Sequence, residues 1–334
     1  MNVLVTGGCG YIGSHAVRSL LAAGHAPVVL DNLSKGHRQS LPVGVPFVEL
    51  DVRNTDGVYA ALQAYGIECV MHFAALADVG ASTANPLACY DNNVRGTLSL
   101  LTAVERAQVR RFVFSSTCAT YGEPTQMPIR EDAPQTPVNP YGWSKLFCER
   151  MLFDYAEREP AFAFAALRYF NVAGCASDGS IGEDHHPETH LVPVILQAAL
   201  GKRAGITIFG EDYPTPDGTC IRDYVHVEDL VAAHLQVALA LRPGQQLTYN
   251  LGIGRGYSVR EIVSAAQAVV PRPFRVDMGV RRAGDATALY ADPGKIAREL
   301  VWVAKQTDIR AVIESAWRWF ERHPDGYATP AAPR

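Results

Sequence analysis

The stretch Leu4–Ser14, LVTGGCGYIGS, crowds Gly7, Gly8, Gly10 and Gly13 directly behind a short apolar run. Reading Val3–Thr6 as a strand and Tyr11–Ala23 as a helix puts these glycines on a strand-to-helix turn. Glycine lets the backbone bend sharply there and lets an anion approach without meeting a Cβ, while the helix N-terminus offers partly positive N–H groups. The spacing Gly7-x-x-Gly10-x-x-Gly13 is not the commoner G-x-G-x-x-G, and a purely structural turn explains it equally well.

The next apolar run, Pro27–Leu30, ends in Asp31, followed by Asn32. In a dinucleotide fold the second strand ends beside the adenosine ribose, where a carboxylate accepts hydrogen bonds from both hydroxyls and repels a 2′-phosphate. Glycine turn and Asp31 together predict NAD as the cofactor rather than NADP.

The 334 residues, 48% hydrophobic, suffice for one large or two modest domains with a substantial core. A net charge of −4 provides no basic field for nucleic acid, and no block of like charges marks an interaction tail. The cysteines at 9, 69, 89, 118, 148, 175 and 220 are odd in number and contain no C-x-x-C pair, which predicts neither disulfides nor a zinc cage and fits a reducing cytoplasm. No apolar stretch approaches the roughly 20 residues of a membrane span, and no leader pattern opens the chain.

Strand-like runs at Val3–Thr6, Pro27–Asp31, Phe47–Leu50, Cys69–Phe73, Arg111–Ser115 and Phe162–Arg168 alternate with helical patterns. This rhythm predicts an α/β protein with a doubly wound parallel Rossmann sheet. After about residue 170 the texture changes to glycine, proline and acidic loops, including GEDHHPETH and GEDYPTPDGT. We therefore expect an NAD-binding domain over 1–170 and a smaller, loop-rich substrate portion over 171–334. Whether a segment near 225–255, containing YNLG, returns to the first domain is left open.

A second informative stretch is NPYGWSK, residues 139–145. Asn139 suits an N-cap and Pro140 the first helical position, so Tyr141 and Lys145 fall four apart on one helical face. With charges about 6 Å apart at an effective dielectric near 20, the attraction is roughly 3 kcal/mol, lowering the phenol pKa by about two units. Ser115, Ser116 and Thr117 end a strand at the sheet edge where open α/β folds bind ligands. Thr117 can share the substrate hydroxyl that Tyr141 deprotonates, as general base catalysis requires.

These residues resemble the extended short-chain dehydrogenase/reductases. TGGCGYIGSH, DNLSKG, HFAA, DNNVRGT, YGWSK, RYFNVAG, FGEDYPTPDGTCIRDYVHV, YNLG and RRAGD, in this order, resemble the UDP-glucose 4-epimerases among them. The resemblance implies an NAD site lined by Gly7, Gly10, Tyr11, Ile12, Gly13, Asp31, Asn32, Asp51, Val52, Phe73, Ala74, Asn92, Lys145 and Phe170. It implies a UDP-hexose site around Thr117, Asn171, His190, Leu191, Phe209, Arg222, Arg282, Asp285 and Leu289. Arginine forks suit a diphosphate. Ala77 stands where some members carry lysine, Ala75 replaces a common glycine, and His190 stands where others have asparagine, either of which donates to a diphosphate oxygen. A polar loop explains His185, His186 and His190 without a metal ion.

The implied reaction interconverts UDP-glucose and UDP-galactose through a 4-keto sugar, with Thr117, Tyr141 and Lys145 catalytic and 2-acetamido sugars as further candidates. A UDP-glucuronate 4-epimerase would bind a C6 carboxylate, for which no extra cation stands out. A sugar-nucleotide 4,6-dehydratase needs a second acid and base, whereas Cys118 and Ala119 follow Thr117. A non-catalytic NAD-sensing protein on the same fold is the alternative of a different class. The resemblance also implies a homodimer through helices such as 87–106 and 140–157, whose apolar faces could equally be buried within one chain.

Overall fold

The computed structural model describes residues 1–282 and 285–327. Its centre is a sheet of strands β1 (Asn2–Thr6), β2 (Ala26–Asp31), β3 (Phe47–Glu49), β4 (Cys69–His72), β5 (Arg111–Thr117), β6 (Ala163–Tyr169) and β7 (Gln246–Leu251). The order is β7-β6-β5-β4-β1-β2-β3, and every pair is parallel. A parallel sheet needs helices on both faces, and the strand residues alternate accordingly. Val3, Val5, Val113 and Ala165 pack with Val17 and Leu20 of helix α1 (Tyr11–Ala22). Leu4, Val28, Val70 and Phe112 face the other way, toward Val58 and Leu62 of α2 (Thr55–Ala64) and Leu100 of α3 (Gly96–Ala107). Leu152 and Ala156 of α4 (Pro140–Arg158) join that second face.

The chain's later half contributes to this sheet. β7, which holds the YNLG segment, pairs with β6 in the register Tyr249↔Leu167 at the edge of this sheet. A second core gathers α5 (Leu191–Ala199), α7 (Val259–Val269) and α8 (Ile309–Arg322) around Ile195, Ile262, Ile313 and Trp319. The short parallel pair Ile206–Phe209 and Val276–Gly279 lies beside them. Helix α6 (Val227–Ala240) lies against the first core through Leu230 and Val237.

The helix expected over 87–106 is interrupted. Pro86–Tyr90 runs into a π-turn at Asp91–Arg95 before α3 begins. A wide turn re-aims one side chain, here Asn93, which binds Leu76 N at 2.8 Å, Leu76 O at 3.0 Å and Ser144 Oγ at 2.9 Å. All seven cysteines are free. Among the described residues no helix is long and apolar enough to cross a membrane.

Candidate active site

The strand order reverses between β1 and β4, and a cleft of about 1280 Å³ opens beyond the carboxyl ends of the strands. Every cofactor and substrate residue expected from the sequence lines it, except Asp51. The partly exposed Asp51 carboxylate accepts from Arg53 Nη2 at 2.7 Å and Asn32 Nδ2 at 2.9 Å. These bonds hold its pKa well below the usual carboxylate range and tie Asp51 to Asn32, which does line the cleft.

The glycines of the opening turn serve different ends. A Cβ on Gly13 would meet Gly7 O at 2.1 Å, and one on Gly7, whose φ is +71°, would meet Ala74 N at 2.6 Å. Both are required by the packing of turn, helix and β4. Gly10 is less confined, a Cβ there meeting only Gly7 O at a tight 3.3 Å, and it caps α1 without a side-chain acceptor. The first-turn amides of α1 thus face the cleft without a side-chain cap, as a diphosphate requires. Asp31 accepts from Cys9 N at 2.9 Å and Leu33 N at 2.8 Å, which clamps the turn against the end of β2. Its pKa is raised by burial against these two bonds. Each oxygen retains a lone pair for a ribose hydroxyl. This donor and acceptor set fits NAD.

Asn139 caps α4, accepting from Gly142 N at 2.8 Å, and Tyr141 and Lys145 follow on one face. Lys145 is buried, donates to Ser115 O at 2.7 Å and lies 4.8 Å over the Phe114 ring. Desolvation lowers its pKa to about 8. Burial raises the Tyr141 pKa well above its ordinary value, with Tyr169 adding to the rise and a bond to the Thr117 side chain opposing it. The acidified phenol expected from the helical spacing is therefore not what the protein alone produces: the ammonium is committed to a carbonyl and a ring, and desolvation outweighs its field.

The opposite wall comes from the later half. His190 and Leu191 open α5, whose cap carries no side-chain bond. Asn171 begins the short strand paired with Tyr224–His226. Arg222 donates to Ile221 O and Ala286 O, both at 2.8 Å, and faces Asp285 at 3.6 Å. Arg282 lies 3.9 Å over the Phe209 ring. Leu289 is paired with Arg222 and packs with Tyr121, Ile129 and Phe170. Ala283 and Gly284 of the RRAGD motif lie outside the described residues.

Glu183, His185, Glu188 and His190 come together, one potential ligand atom of each lying within 4.8 Å of the others. The sequence had offered only three histidines in a polar loop; the two carboxylates beneath them went unnoticed. Also missed were Asn93, hidden in the π-turn, and the buried Arg168–Glu149 pair, joined at 2.7 and 2.9 Å. Glu149 sits one turn beyond Lys145 and accepts from Ser116, beside Thr117. Its i+4 spacing from Lys145 was the available signal.

A Rossmann sheet with a glycine turn, an acidic residue ending its second strand and a Thr-Tyr-Lys set on one cleft defines an NAD-dependent enzyme of the short-chain dehydrogenase type. The chain belongs to the NAD dependent epimerase/dehydratase family, whose model matches residues 3–252. It is 48% identical to a UDP-glucose 4-epimerase of Lacticaseibacillus casei, over 98% of this chain and 99% of that protein. It resembles the crystal structure of UDP-glucose 4-epimerase from Brucella ovis in complex with NAD, with a TM-score of 0.91, 46% identity and coverage of 96% and 98% of the two chains. It likewise resembles the enzyme from Bifidobacterium longum in complex with NAD+ and UDP, with a TM-score of 0.93, 37% identity and coverage of 98% and 100%.

Proposed function

We propose that this protein interconverts UDP-glucose and UDP-galactose, oxidising the sugar transiently at C4 while NAD stays bound. One observation carries the reading: Thr117, Tyr141 and Lys145 line the same cleft as Gly10, Arg222 and Arg282. The relatives and the NAD complexes named above support it.

NAD, when bound, would supply a reversible hydride acceptor for C4 and, in its oxidised form, a positive charge that favours phenolate at Tyr141. Gly10, Tyr11 and Ile12 would hold its diphosphate, Asp31 and Asn32 the adenosine ribose, and Lys145 the nicotinamide ribose. Tyr141 takes the proton of the sugar 4-hydroxyl, and Thr117 shares that hydroxyl and keeps it aimed at the phenol. A 4-keto sugar results. Inversion requires this ketone to present its other face, so the nucleotide must be gripped while the hexose turns. Arg222 and Arg282 supply a grip on the diphosphate, and Leu289 and Phe170 give the hexose pocket apolar walls that impose no single orientation. Binding energy placed on the nucleotide, remote from C4, retains the intermediate.

Leu87, Leu98, Trp143 and Phe147 are exposed, and Phe147 lies 6.1 Å from the Tyr90 ring and 5.7 Å from Trp143. This apolar patch on α3, α4 and the segment before them supports a homodimer. The free cysteines support a cytoplasmic setting.

The test of the function is to give purified protein UDP-galactose without added cofactor and to look for UDP-glucose. Conversion is expected. No conversion by protein shown to contain NAD would overturn the reading in favour of a sensor.

A further inference from the structure

Successive side chains at the end of β5 point opposite ways, as in any pleated strand. Ser115 and Thr117 line the cleft, whereas Ser116 between them is fully buried and its hydroxyl donates to Glu149 Oε1 of α4. The register sets Ser116 beside Arg168 of β6 and Arg168 beside Asn250 of β7, so one polar row crosses three strands. Glu149 closes that row. Arg168 grips both carboxylate oxygens, Nε to Oε1 at 2.9 Å and Nη2 to Oε2 at 2.7 Å, and donates from Nη1 to the Tyr121 hydroxyl at 2.9 Å. Tyr121 in turn donates to Asn250 Oδ1 at 2.7 Å. None of these five side chains belongs to a residue more than 3% exposed.

An ion pair at this depth adds little stability over apolar packing of the same volume, but a bidentate pair fixes geometry closely. What it fixes here is the end of β5. Thr117 follows Ser116 directly, and the carbonyl that accepts from Lys145 Nζ at 2.7 Å is that of Ser115, directly before it. Because Lys145 and Glu149 stand one turn apart on α4, the same carboxylate ties the helix of Tyr141 and Lys145 to the strand of Thr117.

We propose that Glu149, braced by Arg168, is a positioning residue: by holding Ser116 it sets Thr117 and the Ser115 carbonyl at their working distances from Tyr141 and Lys145. The assignment rests on the catalytic roles given to those residues above. Its charge acts in the same direction. Desolvation draws the Lys145 pKa down to about 8, and Glu149 opposes that fall. The other titratable neighbours of Lys145 are His72 on β4, Cys89 before the π-turn and Cys148 on α4, and burial favours the neutral form of all three.

The test compares wild type, Glu149→Gln and Ser116→Ala, each purified with its NAD, on UDP-galactose across pH. Glu149→Gln keeps an acceptor and removes the charge; kcat should fall by about tenfold or more while KM and NAD content stay at wild-type values. The alkaline limb of kcat should also move to lower pH by about half a unit or more, since the ammonium loses a nearby carboxylate. Ser116→Ala removes the hydroxyl and leaves the ion pair, so kcat should fall by about threefold or more with the limb in place. Unchanged kcat in Ser116→Ala overturns the proposal, whether or not the glutamine variant folds. So does wild-type kcat in Glu149→Gln, an alkaline limb that stays put there, or a loss of kcat matched by loss of NAD, which a merely structural pair would produce. A wild type that holds NAD and does not convert UDP-galactose removes the epimerase reading instead.

Discussion

Tyr141 and Lys145 share a helical face, and burial favours the neutral form of both. Their catalytic use therefore depends on what enters the cleft, since neither side chain alone makes the other a strong base. Tyr141→Phe keeps the ring and removes the proton carrier. Turnover of UDP-galactose should fall by about two orders of magnitude or more with NAD content unchanged, and near-normal turnover would remove Tyr141 from the mechanism. The charge of His185 carries a separate consequence for stability. Its folded pKa, about 10, exceeds its ordinary 6.5, so its contribution is complete below 6.5 and is lost as pH rises toward 10. Glu183, held at about 2 against an ordinary 4.5, contributes above 4.5 and loses that contribution as pH falls toward 2. The gap in thermal midpoint between wild type and His185→Gln should accordingly be widest near pH 5 to 6.5 and shrink on both sides; a gap independent of pH would contradict the ion pairs of His185 with Glu183 and Glu188.

Among the elements, the turn between β1 and α1 is tightly specified. Gly13→Ala would drive a Cβ to 2.1 Å from Gly7 O, with Gly8 Cα at 2.8 Å, and both neighbours are backbone. The first turn of α1 must shift, spoiling its amides as a diphosphate cradle. We expect protein purified without nicotinamide absorbance and a stability loss on the order of 1–3 kcal/mol, as for other overpacked sites. Retention of NAD at the wild-type level would show that the cradle lies elsewhere. The π-turn at Asp91–Arg95 illustrates the opposite case, because heptad-like apolar spacing continues through it and only the bonds of Asn93 to Leu76 and Ser144 reveal the extra residue in the turn.

At the scale of the whole molecule, two surfaces bear the tests of what the protein accepts and of whether it assembles. Leu289 and Phe170 both line the cleft and pack in one apolar cluster. A branched aliphatic leaves more room than a phenol ring for an acetamido group that must turn with the keto sugar. We expect measurable epimerisation of UDP-N-acetylglucosamine, and its loss in Leu289→Tyr with UDP-glucose turnover retained. Equal loss of both activities would identify Leu289 as packing alone. Phe147, 44% exposed beside Trp143, tests the assembly. Phe147→Glu should convert a dimer to a monomer by light scattering with the fold intact, and a monomeric wild type would dispose of the homodimer.

The parallel sheet, the glycine turn, Asp31 and the Asn139-capped helix with Tyr141 and Lys145 were legible in the sequence, because each depends on short-range patterns: apolar runs, residues with special backbone freedom, and side chains one helical turn apart. What only the tertiary structure decided are the properties set by neighbours distant in the chain. Asp51 turned out to be hydrogen-bonded to Asn32 at the end of β2, and Lys145 to the carbonyl of Ser115, each from another element. The two carboxylates beneath His185 and His190 acquired their meaning from burial, and spacing along a chain does not report how far a charge is removed from water.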